Sequence, residues 1–273
     1  MDKLIDIDAV FSEYLNKWYA DNKSKYKDFG RLEEEAAKVY DTFAESPLKQ
    51  LGGVSPKIYF DGIRDPKEMI ALTVKYIMAD MSPPILLCDR IVKTPETIPL
   101  LLKIIEMNEN VELTVMAANI LSEMGSAAAY PVYADWLTDE NKNKELVLLA
   151  VEKLSADVDA AAELILKKLD GGTPSISVLK NIADVLTHYK DGRVYDILMK
   201  LFIEGGDTAL YASYLGMHGD KRALPILIEY GGKPNINYHQ FIEIRNAVEA
   251  LGGELVNNKD FKNDKYYKAL KDS

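Results

Sequence analysis

The chain has 273 residues, a formal net charge of −10, three histidines and one cysteine, Cys88. An acidic surface repels phosphate backbones, so sequence-independent nucleic-acid binding requires a basic cluster, and none stands out; one thiol excludes an intramolecular disulfide and a cysteine-rich zinc site. No apolar run reaches membrane-spanning length, and Met1-Asp2-Lys3-Leu4-Ile5-Asp6 lacks the basic and long apolar parts of a secretory signal, so the expectation is a cytoplasmic protein with no membrane partner.

Residues 1–65 read as an N-terminal helical cap. Asp8 is placed to cap a first helix carrying Val10, Phe11, Tyr14, Leu15, Trp18 and Tyr19. A second helix puts Leu32, Ala36, Val39, Tyr40 and Phe43 on one face. An aromatic stripe at this spacing reads as core, with a docking element as the other reading. Gly52-Gly53 marks a turn, and Ser55-Pro56 supplies a cap followed by proline in the first helical turn. Asp65-Pro66-Lys67-Glu68 opens another helix, with Glu68 placed for a capping box. Ser82-Pro83-Pro84 then breaks the chain, and Cys88 follows in an apolar run where a thiol acts as a small hydrophobe.

From residue 66 to 252 the sequence repeats. Leu121, Leu154, Leu186, Leu215 and Leu251 recur at a period of about thirty residues, within the range that signals stacked helical units. Four residues before each anchor stand Ala117, Ala150, Ile182, Tyr211 and Ala247; three before stand Ala118, Val151, Ala183, Ala212 and Val248. These positions share a helix face with the anchor and form one apolar stripe, mostly of small residues. Five residues after the anchor, Ser126, Asp159, Asp191 and Asp220 are suited to cap the next helix. Beyond them lie the apolar pairs Val132-Tyr133, Ile165-Leu166, Ile197-Leu198 and Ile226-Leu227, with Pro131 and Pro225 in one column. Each unit is an antiparallel pair, helix A after the turn and helix B ending at the next anchor. Only stacked pairs bury such a face.

The small-residue pairs, the anchors and the segment Leu215-Gly216-Met217-His218-Gly219-Asp220-Lys221-Arg222-Ala223-Leu224-Pro225-Ile226-Leu227 resemble the short HEAT-like repeats of bacterial proteins. The units at Leu154 and Leu186 depart from that pattern, lacking the glycine before the capping aspartate. The resemblance implies an all-α fold, a right-handed α-solenoid of stacked antiparallel helix pairs, related to armadillo-like superhelices. It also implies binding of proteins or nucleic acids far more often than catalysis, and B helices that line a concave face. Residues 253–273 read as a terminal cap helix or frayed tail, with Tyr266, Tyr267 and Leu270 as its apolar residues.

No phosphate loop, dinucleotide turn or nucleophile elbow is present, so the expectation is a non-enzyme without cofactor or metal. His188 and His218 fall in equivalent turns and read as structural or solvated, and His239 lies in the last B helix. The glycine pairs at 205–206, 231–232 and 252–253 read as left-handed helix ends.

The informative feature is a column. Two residues before the anchor stand Asn119, Glu152, Asp184, Ser213 and Glu249; nine before stand Glu112, Glu145, Ser177 and Ile242. At about 100° per residue both sets point away from the buried stripe. Glu112, Asn119, Glu145, Glu152, Asp184 and Glu249 are therefore the candidate partner-binding residues, on a face that attracts a basic protein or peptide. The readings left open are an adaptor or scaffold, an immunity-type inhibitor of a basic toxin, and an enzyme of lyase or glycosylase type on the same scaffold. A solvated acidic surface without a partner is the competing account of the column.

Overall fold

The computed structural model describes residues 4–25, 29–169, 174–256 and 259–271, and every regular element among them is a helix packed against its neighbours, consistent with a helical repeat fold. The chain divides into two units, Met1–Ala129 and Tyr130–Ser273. That division falls inside the repeats, at a turn the sequence does not distinguish from the others.

The first unit holds α1 (Ile7–Asn22), α2 (Phe29–Glu45), α3 (Pro56–Asp61), α4 (Pro66–Met78), α5 (Ile85–Val92), α6 (Ile98–Met107) and α7 (Val111–Glu123). The aromatic stripe of α1 is only half-buried and Tyr19 is exposed, but two of its rings pack on α2. Phe11 meets Tyr40 edge-on at 5.0 Å and Phe43 at 5.1 Å, and Tyr14 meets Phe43 at 5.4 Å. Leu32 and Ala36, expected on the same face, lie outside the described side chains. The Tyr76 hydroxyl donates to the Ile5 carbonyl at 2.9 Å, tying the N-terminal segment to α4.

Two cap assignments differ from the sequence reading. Asp6, not Asp8, caps α1 by accepting from the Ala9 amide at 2.8 Å. The helix thus starts one residue before Asp8, and its first residue, Ile7, is buried. Asp65 caps α4 but accepts from the amide of Lys67, 2.9 Å away, rather than from that of Glu68 as a capping box requires. Cys88 is free and partly buried, and burial with the nearby Asp89, Glu123 and Asp8 carboxylates pushes its thiol up to about 11.

The second unit holds α8 (Tyr130–Thr138), α9 (Lys144–Ser155), α10 (Val158–Lys168), α11 (Ile176–Leu186), α12 (Gly192–Glu204), α13 (Thr208–His218), α14 (Leu224–Gly232), α15 (Tyr238–Ala250) and α16 (Lys265–Lys271). Short turns join α8 to α9, α9 to α10 and each successive pair from α11 to α15, so these helices pack as antiparallel neighbours. The A helices are α8, α10, α12 and α14; the B helices are α9, α11, α13 and α15. The anchors Leu154, Leu186, Leu215 and Leu251 are buried, as are Ala150, Ile182, Tyr211 and Ala247 four residues earlier. Asp191 caps α12 and Asp220 caps the turn leading into α14. Asp159 does not cap α10; Asp157 does, accepting from the Ala160 amide at 3.4 Å. A capping box closes α15, where Asn237 and Gln240 each accept the other's amide.

Side-chain size in the column four before the anchor governs how closely B helices approach. Between α13 and α15 the facing residues are Gly216 and Ala247. A Cβ on Gly216 would lie 2.9 Å from Ala247 Cα, so a backbone atom occupies the space a side chain would need. In α13 the column holds Tyr211 instead. Its buried ring extends to Gly205 at the end of α12, where a Cβ would lie 2.7 Å from a ring carbon. Gly206 and Gly252 take left-handed φ of 85° and 84°, as their positions at helix ends require. Gly231 and Gly232 instead stay helical within α14. A Cβ at Gly231 would come 2.4 Å from a terminal methyl of Leu255, so that side chain would have to move aside.

Gly216→Ala is expected to destabilise the protein by about 1–3 kcal/mol, the cost of overpacking, which exceeds the helix-propensity gain of about 1 kcal/mol. Gly232→Ala meets nothing within 4 Å and is expected to be neutral or slightly stabilising. Urea unfolding of the two variants checks both; equal midpoints would remove the close-packing account.

Candidate interaction surface

The outward column lies where the helical spacing puts it, but each unit carries its own part. In the first unit Glu112 and Asn119 are exposed on α7. In the second, Glu145 and Glu152 are exposed on α9, Asp184 on α11 and Glu249 on α15, while Ser213 of α13 is half-buried.

The local electrostatics are more varied than a plain acidic stripe. Glu152 pairs with Lys153 at 2.8 Å and Glu249 with Arg245 at 3.5 Å. Both cations come from the same helix as their carboxylate, so the two ends of the column are partly neutralised. Asp184 is bound differently. The Tyr214 hydroxyl donates to its Oδ1 at 2.7 Å, and Tyr211 meets Tyr214 edge-on at 5.9 Å. Desolvation beside these rings raises the Asp184 pKa above the ordinary carboxylate value, and the Tyr214 bond, which favours the charged form, offsets part of that rise. A carboxylate that has already lost part of its hydration costs less to bring into contact with a cation.

Sequence reading missed the apolar members of this face. Leu148 is 68% exposed, Met217 50% and Leu210 39%. They stand six before, two after and five before their anchors, within about 60° of the acidic column at 100° per residue. Exposure of single apolar residues is ordinary, but here they share a face with Glu145, Glu152 and Asp184. No repeat pattern marked them, since other units also carry apolar residues at these positions, among them Val115, Met116 and Leu149.

The turns between B and A helices form a separate edge. His188 is exposed and lines a shallow depression of about 470 Å³ with Asp157 and Asp159. His218 is buried, its Nδ1 3.2 Å from the Thr187 carbonyl. Lys190 donates to the Met217 and His218 carbonyls and so caps the C-terminal end of α13. The capping aspartates are held by arginines two residues on. Arg193 bridges Asp191 at 2.8 Å and Glu163 at 2.6 Å, and the hydrogen-bonded guanidinium lowers Asp191 to about 2. Arg222 pairs with Asp220 at 2.7 Å and lies 3.9 Å over the Tyr195 ring. These pairings explain the turn chemistry as structure: each aspartate caps a helix and fixes its own arginine. Among the described residues no group of three or more His, Cys, Asp or Glu side chains is placed to hold a metal ion. No helix among them is long and apolar enough to cross a membrane.

No family model matches the chain, and neither a curated protein nor a solved structure shows significant similarity to it.

Two measurements probe this chemistry. Burial lowers the His218 pKa below that of the unfolded chain, and the hydrogen bond to Thr187 only partly offsets it. The unfolded state therefore takes up the proton more readily, and stability falls as pH drops through the unfolded value of about 6.5. Urea unfolding from pH 7.5 to 5.5 should show a larger loss for the wild type than for His218→Asn, whose amide can still donate to Thr187. At Asp184, Tyr214→Phe removes the bond that favours the carboxylate and is expected to raise the Asp184 pKa further, followed by carbon-detected NMR titration; an unchanged or lower value contradicts the assigned bond.

Proposed function

We propose that this protein is a non-enzymatic interaction scaffold of HEAT-like type, acting in the cytoplasm. In this reading the antiparallel pairs follow a right-handed α-solenoid plan, and the outward face of the B helices binds a protein or peptide. The observation that carries the reading is the face shared by α9, α11 and α13. It combines exposed carboxylates at Glu145, Glu152 and Asp184 with the exposed apolar side chains Leu148, Leu210 and Met217. Carboxylates steer a cationic partner and suppress the wrong ones, while apolar contact area supplies affinity. The partner that fits is a basic segment with its own apolar side chains. Glu249 on α15, and Glu112 and Asn119 on α7, belong to the same register and are weaker candidates, since they lie outside the face of α9, α11 and α13 that carries the exposed apolar side chains, and α7 lies in the other unit.

The protein reversed at Glu145→Lys, Glu152→Lys and Asp184→Lys is expected to keep its helical circular dichroism and to lose at least about ten-fold in affinity, as loss of about 1.4 kcal/mol implies. Capture from native lysate at low and moderate salt compares the two. A basic protein retained only by the wild type and released by salt supports the reading; equal capture by folded wild type and variant contradicts it.

A further inference from the structure

At α15 the outward face changes character. Tyr238, Ile242, Arg245 and Glu249 stand at spacings of four, three and four and form one stripe. Where α9 carries Glu145 and Leu148, nine and six residues before its anchor, α15 carries Ile242 and Arg245. The C-terminal segment walls this stripe on one side. The result is a depression of about 520 Å³ lined by Tyr238, Ile242, Arg245, Lys259, Asp260, Phe261, Lys262 and Tyr267. Its volume falls within the range of about 300–1,000 Å³ typical of small-molecule sites.

The wall is fixed by several independent contacts. Phe261 is buried, with ring centroids 5.2 Å from both Tyr238 and Phe241. Tyr267 meets Tyr238 edge-on at 4.9 Å. Asp264 accepts from the Tyr238 amide at 3.1 Å and, at the start of α16, from the Tyr266 and Tyr267 amides at 2.9 and 3.1 Å. Lys259 donates to the Lys233 carbonyl. A site built this way exists before any ligand arrives, so binding does not have to order it.

Its charge is opposite to that of the protein. Three cations line it against one carboxylate, in a chain of net charge −10. Asp260 lies 3.6 Å from Lys262, and Glu249 lies 3.5 Å from Arg245. The Arg245 Nε is shielded from solvent and makes no hydrogen bond, the Glu249 contact being too long for one. The Arg245 side chain is nonetheless 35% exposed and lines the depression, so an anion seated there can form charge-assisted bonds with its guanidinium. Beside the cations stand the aromatic walls, which offer ring edges and faces to a flat apolar body.

We propose that this depression binds a small organic anion that carries a planar ring. Its carboxylate or phosphate is held by Arg245, Lys259 and Lys262, and its ring rests against Tyr238 and Tyr267. The site is independent of the basic partner on α9, α11 and α13 and is expected to survive the reversal of Glu145, Glu152 and Asp184.

Isothermal titration of the full chain at low salt tests this with adenosine monophosphate and benzoate as ring-bearing anions. Adenosine supplies a ring without the charge, and inorganic phosphate the charge without a ring. The expected result is saturable binding of at least one ring-bearing anion, with adenosine and phosphate each at least about ten-fold weaker and Arg245→Gln weakening the anion by a similar factor. Lys262→Gln is a second variant with the same expected direction; the Lys262 side chain is 79% exposed, so its replacement is not expected to unfold the segment. The proposal is overturned if neither ring-bearing anion binds saturably. Phosphate binding as tightly as the ring-bearing anions, or affinity unchanged in both variants, overturns it equally.

Discussion

The second unit depends on how closely its B helices can approach. Between α13 and α15 the limit is a backbone contact: Gly216 faces Ala247 with no room for another carbon. Close approach brings many atoms to van der Waals distance, and their small attractions add up. It also fixes the rotation of each helix about its axis, because only one face is small enough to approach. Once that rotation is set, the opposite face is set too. The apolar stripe that holds the repeats together therefore also decides which side chains are presented outward.

Two faces follow from this one constraint. Where Tyr211 replaces the small residue, its ring fills the space beside Gly205, and its neighbour Tyr214 holds the Asp184 carboxylate in a partly dehydrated place. This makes Asp184 the most structured of the outward acids, and the exposed Leu210 and Met217 lie on the same helix as Tyr214. At α15 the same outward register carries Ile242 and Arg245, and the C-terminal segment encloses it. A single geometric plan thus displays an acidic and apolar surface on α9, α11 and α13 and a walled basic depression at α15. The turn edge plays a different part, with Asp191–Arg193 and Asp220–Arg222 consumed in capping and ion pairs.

Much of the helical plan was legible in the sequence because periodicity reports burial directly. The anchor leucines and the small residues before them are buried where the spacing put them. Caps were less legible. Asp6 against Asp8, and Asp157 against Asp159, differ by two residues of the same type, and only the path of the preceding turn selects between them. Gly231 read as a helix end because glycine is common there, but it stays helical, and Leu255 folds back over it from beyond α15. The outward acids were legible as a direction, whereas their pairing with Lys153, Tyr214 and Arg245 depends on side-chain reach. The C-terminal depression was not legible. It joins α15 to a segment beyond Gly253, and no local pattern says that a polar tail will return to one particular helix face.

The central claim is that the outward face of α9, α11 and α13 is the docking surface. Amide hydrogen exchange of the full chain, with and without a lysine- and leucine-rich amphipathic peptide, tests it most directly. The account predicts slower exchange confined to residues 144–155, 176–186 and 208–218 at saturating peptide, reversed by salt. Protection centred on α10, α12 and α14 instead, or no protection at all, would contradict it.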